Sequence, residues 1–145
     1  MSIALGVYST ITNANQYLYV AEKSVGFAYD KVTKTWDNAN FSPDAKYLVS
    51  ESKNPKFAYQ ITEVGDRYSL ASCKQGFNQY GYILCADIGI GSGFELYDFR
   101  FNRINGRFLL TFPVGYYNVA PGISKGATDE NSVTPYMAIG KCSPF

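Results

Sequence analysis

The chain has 145 residues, a formal net charge of +1 and no histidine. Its length suits a single domain, 1–145, with a sizeable core, and 46% apolar against 17% charged residues marks a globular chain. The even charge balance, without a basic block, argues against nucleic acid, and the lack of histidine removes Ser-His and Cys-His nucleophile pairs, His-based zinc sites and the commonest general base.

The N-terminal stretch "MSIALGVYSTITN" has no charged region and only a short apolar run, so it does not read as a signal peptide. The expectation is a cytoplasmic chain as synthesised, or one released without a leader. No apolar run reaches the roughly 18–20 residues that cross a bilayer, so membrane insertion is not expected. Strand signals are dense and no amphipathic helix stands out.

Candidate strands 7–12 and 17–22 come first, followed by a Gly turn in "YLYVAEKSVG" and a strand at 27–32. Next, "TWDNANFSPD" reads as a turn-rich loop holding Trp36, Asp37, Asn38 and Asn40. An aromatic ring among amides and a carboxylate makes this the first candidate ligand-binding cluster. The sequon Asn40-Phe41-Ser42 within it matters only in a secreted protein. After a strand at 46–50, the charged turn "SESKNPKFA" carries Lys53, Pro55 and Lys56.

Strands 57–64 and 67–72 flank Gly65-Asp66 as a hairpin, and 81–87 follows. "GIGSG" at 89–93 reads as a glycine-rich turn, because neither Lys-Ser/Thr nor a helix pattern follows it. Strands 94–102 and 107–112 flank Asn105-Gly106, where a two-residue turn needs positive φ at both central residues. A strand at 116–120 carries Tyr116, Tyr117 and Asn118; its tyrosines read first as core, with Tyr117 and Asn118 as a second candidate binding cluster. "GISKGATDENSVTP" reads as a solvated loop whose Asp129, Glu130 and Asn131 form a third, and 136–141 is the last strand.

Cys73, Cys85 and Cys142 make an odd count in a chain without a leader, which fits buried free thiols better than a disulfide framework. A Cys73–Cys85 bridge stays open. With no CxxC spacing, no metal is expected.

Stretches 17–30 and 47–60 both open Tyr-Leu and carry Phe-Ala-Tyr ten residues on. Better internal partners exist. "YLYVAEKSVG", "YILCADIGIG" and "YYNVAPGISKG" share one form, and "FAYQITEVGDRYSL" aligns with "FRFNRINGRFLL". Units of about 7–66, 67–106 and 107–145 result. This phrase, Phe then Gly-x-Tyr-x-Leu then Tyr-Leu-x-x-Ala, resembles the β-trefoil superfamily across nearly the whole chain. The resemblance implies an all-β fold, a six-stranded barrel capped by three hairpins, and is most like a leaderless, fungal-type trefoil lectin. The ricin-type Gln-x-Trp motif is absent, since Lys34-Thr35 precede Trp36. The alternative is another closed β fold of about four short repeats, starting at Tyr17, Tyr47, Tyr82 and Tyr116.

The resemblance implies a non-enzymatic lectin with glycans or glycoproteins as partners and no cofactor. A homo-oligomer stays open. If the units bind equivalently, sites follow Ala21, Ala86 and Ala120, with Glu22, Asp87 and Pro121 there. The alternative function is a trefoil-type proteinase inhibitor acting through the Lys53, Pro55 and Lys56 loop.

Overall fold

A computed structural model describes residues 16–87, 97–119 and 128–144. Among the described residues nine strands form one antiparallel sheet: β1 (Gln16–Asp30), β2 (Thr35–Phe41), β3 (Lys46–Glu51), β4 (Tyr59–Glu63), β5 (Ser69–Cys73), β6 (Tyr82–Ala86), β7 (Asp98–Asn102), β8 (Arg107–Phe112) and β9 (Tyr136–Pro144). From β3 to β9 each strand pairs with the next in the chain, and β9 returns to pair with β1. β1 also pairs with β3. Eight strands therefore close a barrel, and β2 hangs on the far half of β1 as an extra strand.

The closed all-β architecture follows from alternation. Val49, Ile61, Ile83, Cys85, Phe99, Phe101, Phe108 and Leu110 sit at every second strand position and are all buried. Their neighbours in sequence point outward. Closure pairs both edges of the eight-strand wall, and β2 keeps an outer edge without a strand partner among the described residues. The wall is an eight-strand meander, which is compatible with the alternative of another closed β fold and does not confirm six barrel strands with three hairpin caps. The repeated phrase marks a strand–turn–strand unit, and a meander contains that unit as readily as a threefold fold does.

The barrel interior is filled with rings. Tyr19 packs on Phe101 at 4.3 Å between centroids, Phe99 stacks on Phe101 at 5.6 Å, and Tyr47 meets Phe99 edge-on at 5.2 Å. Full burial of each such side chain is worth about 1.5–3 kcal/mol. Small residues on the facing strands make the room. A Cβ on Gly140 would run into the Val20 carbonyl oxygen and the Phe108 ring, so β9 approaches β1 this closely only with glycine there.

Several expected elements differ. Residues 17–30 lie in one strand with a bulge between Ala21 and Lys23, not in two strands with a turn at Gly26, and 31–32 belong to the turn that follows. Glu22 therefore lies on a strand, 3.7 Å from the Lys141 ammonium, and not in a binding loop. "TWDNANF" is β2 rather than a loop. Tyr116–Asn118 is a 3₁₀ turn rather than a strand, and Tyr116 and Tyr117 are exposed, not core. At the β7–β8 hairpin only Gly106 has positive φ (68°); Asn105 does not. The loop spans four residues, and the Asn102 Oδ1 accepts the Ile104 and Asn105 N–H groups. Cys73 and Cys85 form a disulfide, and Cys142 is the free thiol. The expected strand 7–12, the turn 89–93 and Pro121 lie outside the described residues.

Candidate functional site

β1 and β2 form a hairpin that outruns the barrel. β9 pairs with β1 only as far as Gly26, opposite Tyr136; from Phe27 onward β1 has β2 alone. Gly26 is where the two part. A Cβ there would strike the Pro135 carbonyl oxygen, which instead accepts the Phe27 N–H at 3.1 Å. The hairpin turn is fixed by Asp30, whose Oδ1 accepts the Val32 and Thr33 N–H groups at 2.7 and 3.2 Å. Those two donors hold the Asp30 carboxyl below its usual range.

The segment leading into β9 folds back along this hairpin. There the Trp36 Nε1–H donates to the Asp129 Oδ1 at 2.9 Å, joining residues 93 positions apart. Tyr29, the cross-strand partner of Trp36, lies 5.7 Å from the indole, and Tyr116 lies 5.5 Å from it at 84°. Partial burial, then the carboxylates of Asp129 and Glu130, push the Tyr29 phenol above its usual range. The result is three rings beside two carboxylates. Tyr116 and Tyr117 are 64% and 60% exposed.

This places the residues singled out in sequence as follows. Trp36 and Asp129 touch directly. Asn131 shares the 3₁₀ turn of Asp129, and Tyr117 and Asn118 share the turn of Tyr116. Strand alternation puts Trp36, Asn38 and Asn40 on one face of β2, beside Tyr29, Phe27 and Val25 of β1. Asp37 falls on the opposite face and is engaged by the Thr35 hydroxyl at 3.0 Å. Tyr29 and Phe27 were missed. The signal that finds them is period-two alternation continued through 24–30, which Gly26 masks.

Lys53, Pro55 and Lys56 lie in the β3–β4 turn, at the other end of the barrel from the hairpin. The turn is compact: the Asn54 Oδ1 accepts the Lys56 N–H, and the Asn54 carbonyl accepts the Phe57 N–H.

Two hollows accompany the hairpin site. One, of about 410 Å³, is the barrel mouth at the hairpin's base, walled by Phe41, Tyr47, Tyr97, Phe112 and Tyr136. The other, of about 1110 Å³, is an open depression outside β6–β8. Its amides serve its own turns. Asn78, Asn102 and Asn105 each accept backbone N–H groups within four residues, and Arg100 is paired with Asp98 at 3.1 Å. Lys74, Gln75, Asp87 and Arg107 also line it. Among the described residues no three His, Cys, Asp or Glu side chains are grouped to hold a metal, and no helix is long and apolar enough to cross a membrane.

No protein-family model, no curated protein and no solved structure matches this chain.

Proposed function

We propose that the chain is a non-catalytic carbohydrate-binding protein whose site is the hairpin face around Trp36. The observation that carries this reading is the Trp36–Asp129 hydrogen bond at 2.9 Å, with Tyr29 and Tyr116 packed around the indole. Sugar recognition needs an aromatic face for the C–H side of the ring and oriented acceptors for the hydroxyls. Here the indole is fixed by its own N–H. Asp129 keeps its second carboxylate oxygen for a ligand, and Glu130 and Asn131 stand beside it, exposed. Asn38 and Asn40 extend the polar groups along the same face as Phe27 and Val25. The two carboxylates disfavour anionic sugars, so neutral or amino sugars are the expected class. The phrase-level resemblance to trefoil lectins supports the reading through this chemistry, not through a shared arrangement of strands.

A glycan array on the intact chain tests it, followed by titration of the best ligand. Trp36→Ala is expected to weaken binding by about tenfold or more, the scale of a central aromatic contact, with the thermal midpoint little changed because Trp36 lies outside the barrel. An empty array, or unchanged affinity in Trp36→Ala, overturns the assignment. An empty array with inhibition of trypsin, lost on replacing Lys53 and Lys56, would put the inhibitor reading in its place.

A further inference from the structure

We propose that the barrel mouth is a second binding site, taking a small aromatic ammonium compound: a flat ring that carries a protonated amine. Eight-stranded barrels either fill their interior with side chains or leave room for one small ligand. This one does both. Its centre is packed with rings, and its hairpin-side mouth holds a hollow of about 410 Å³, within the size range of small-molecule sites.

The walls select a ring. Tyr97 and Phe112 lie 5.0 Å apart and Phe112 and Tyr136 lie 5.5 Å apart, forming a continuous aromatic surface. Phe41 adds an edge-on ring 6.4 Å from Tyr136. A flat apolar ligand gains both stacked and edge-to-face contacts in such a setting.

A carboxylate close to the wall tyrosines Tyr47, Tyr97 and Tyr136 selects the charge. Glu63 is the direct cross-strand partner of inward-facing Tyr47, and lies two residues beyond buried Ile61, so its side chain points to the barrel's inner side. Among the described residues no Lys or Arg pairs with it. Burial first, and Asp66 second, push its carboxyl above the usual range. Burial first, then the carboxylates of Glu63, Asp87 and Asp66, raise the Tyr97 phenol above its usual range. The faces of the wall rings carry negative charge density as well, so a cation is attracted by the rings and by Glu63 together. An anionic ligand meets repulsion from both.

Titration of the intact chain with phenethylamine, followed by NMR at neutral pH, tests this, with phenylacetate as the anionic counterpart of similar shape. Phenethylamine is expected to bind at least about tenfold more tightly than phenylacetate, with shifts centred on Tyr97, Phe112 and Tyr136. Glu63→Gln should remove most of that preference. Ala45→Phe, which places a ring in the mouth, should abolish binding of both; a thermal scan shows whether that variant is folded, and Glu63→Gln decides the matter if it is not. Equal affinity for the two probes, or no binding of either, overturns the proposal. So does loss of phenethylamine binding in Trp36→Ala, which would move the ligand to the hairpin. The sugar assignment fails separately, by its glycan array.

Discussion

Breaking the Cys73–Cys85 bridge should weaken the barrel at its thinnest seam. β5 and β6 share a single paired position, Ser72 with Ala86, whereas β6 and β7 share five. The disulfide sits one residue from that position on each strand and closes a sequence separation of 12. Constraint of an unfolded loop of this size contributes about 3 kcal/mol. At about 2.1 cal/mol/K per residue, the 145-residue chain unfolds with an entropy of about 0.3 kcal/mol/K. Loss of the bridge is therefore expected to lower the thermal midpoint by about 10 °C. The assay is a thermal scan with and without dithiothreitol, with thiol titration confirming that all three cysteines are free after reduction. The Cys73→Ala/Cys85→Ala double variant gives the same comparison without reductant. A midpoint that moves by less than about 3 °C on verified reduction would refute the reasoning. The outcome also bears on where the chain works. Such bridges persist in oxidising compartments, so a chain held in a reducing cytosol would occupy the weaker form.

Further expectations follow from single residues. Glu63 has a folded-state pKa raised by burial, so its stabilising contribution is present below the unfolded carboxyl range and is lost as pH rises through the folded value. Glu63→Gln should therefore raise the urea midpoint near pH 7 and leave it unchanged near pH 3, and an equal effect at both would remove this cause. Gly26→Ala puts a Cβ against the Pro135 carbonyl and 2.8 Å from the Tyr136 Cα. It should cost about 1–3 kcal/mol and reduce sugar binding through displacement of the hairpin base; a variant normal in both thermal scan and glycan titration would contradict that role.

Much of the barrel was legible because its rules are local. β8 was read to the residue, since "RFLLTF" has two buried positions at strict alternation and a turn glycine before it. β2 was not legible. "TWDNANF" has no buried residue at all, and Asn and Asp disfavour strands; it is a strand because β1 supplies seven paired positions. Tyr116 and Tyr117 were drawn toward the core by the repeated Tyr-x-x-x-Ala phrase. Gly115, at φ 136°, ends that likeness by sending the chain into a 3₁₀ turn. The disulfide was open in sequence because a thiol count says nothing of distance. β5 and β6 bring the two Cα atoms to 4.1 Å, and only the fold supplies that.

The site itself was half legible, for a physical reason. Residue chemistry pointed to Trp36 and to Asp129 separately, as an aromatic among amides and a carboxylate among small polar residues. Their meeting depends on how far two strands run. β9 stops pairing with β1 at Gly26, while β1 continues to Asp30. That mismatch leaves a hairpin with one uncovered side, and the chain entering β9 must pass along it to reach Tyr136. Asp129 arrives beside the indole by that route, and Val133 and Thr134 then line the barrel mouth. One offset in strand length thus creates both the hairpin face and the rim of the hollow beneath it. The two binding proposals concern neighbouring places with different walls: indole and amides outside, packed phenyl and phenol rings inside.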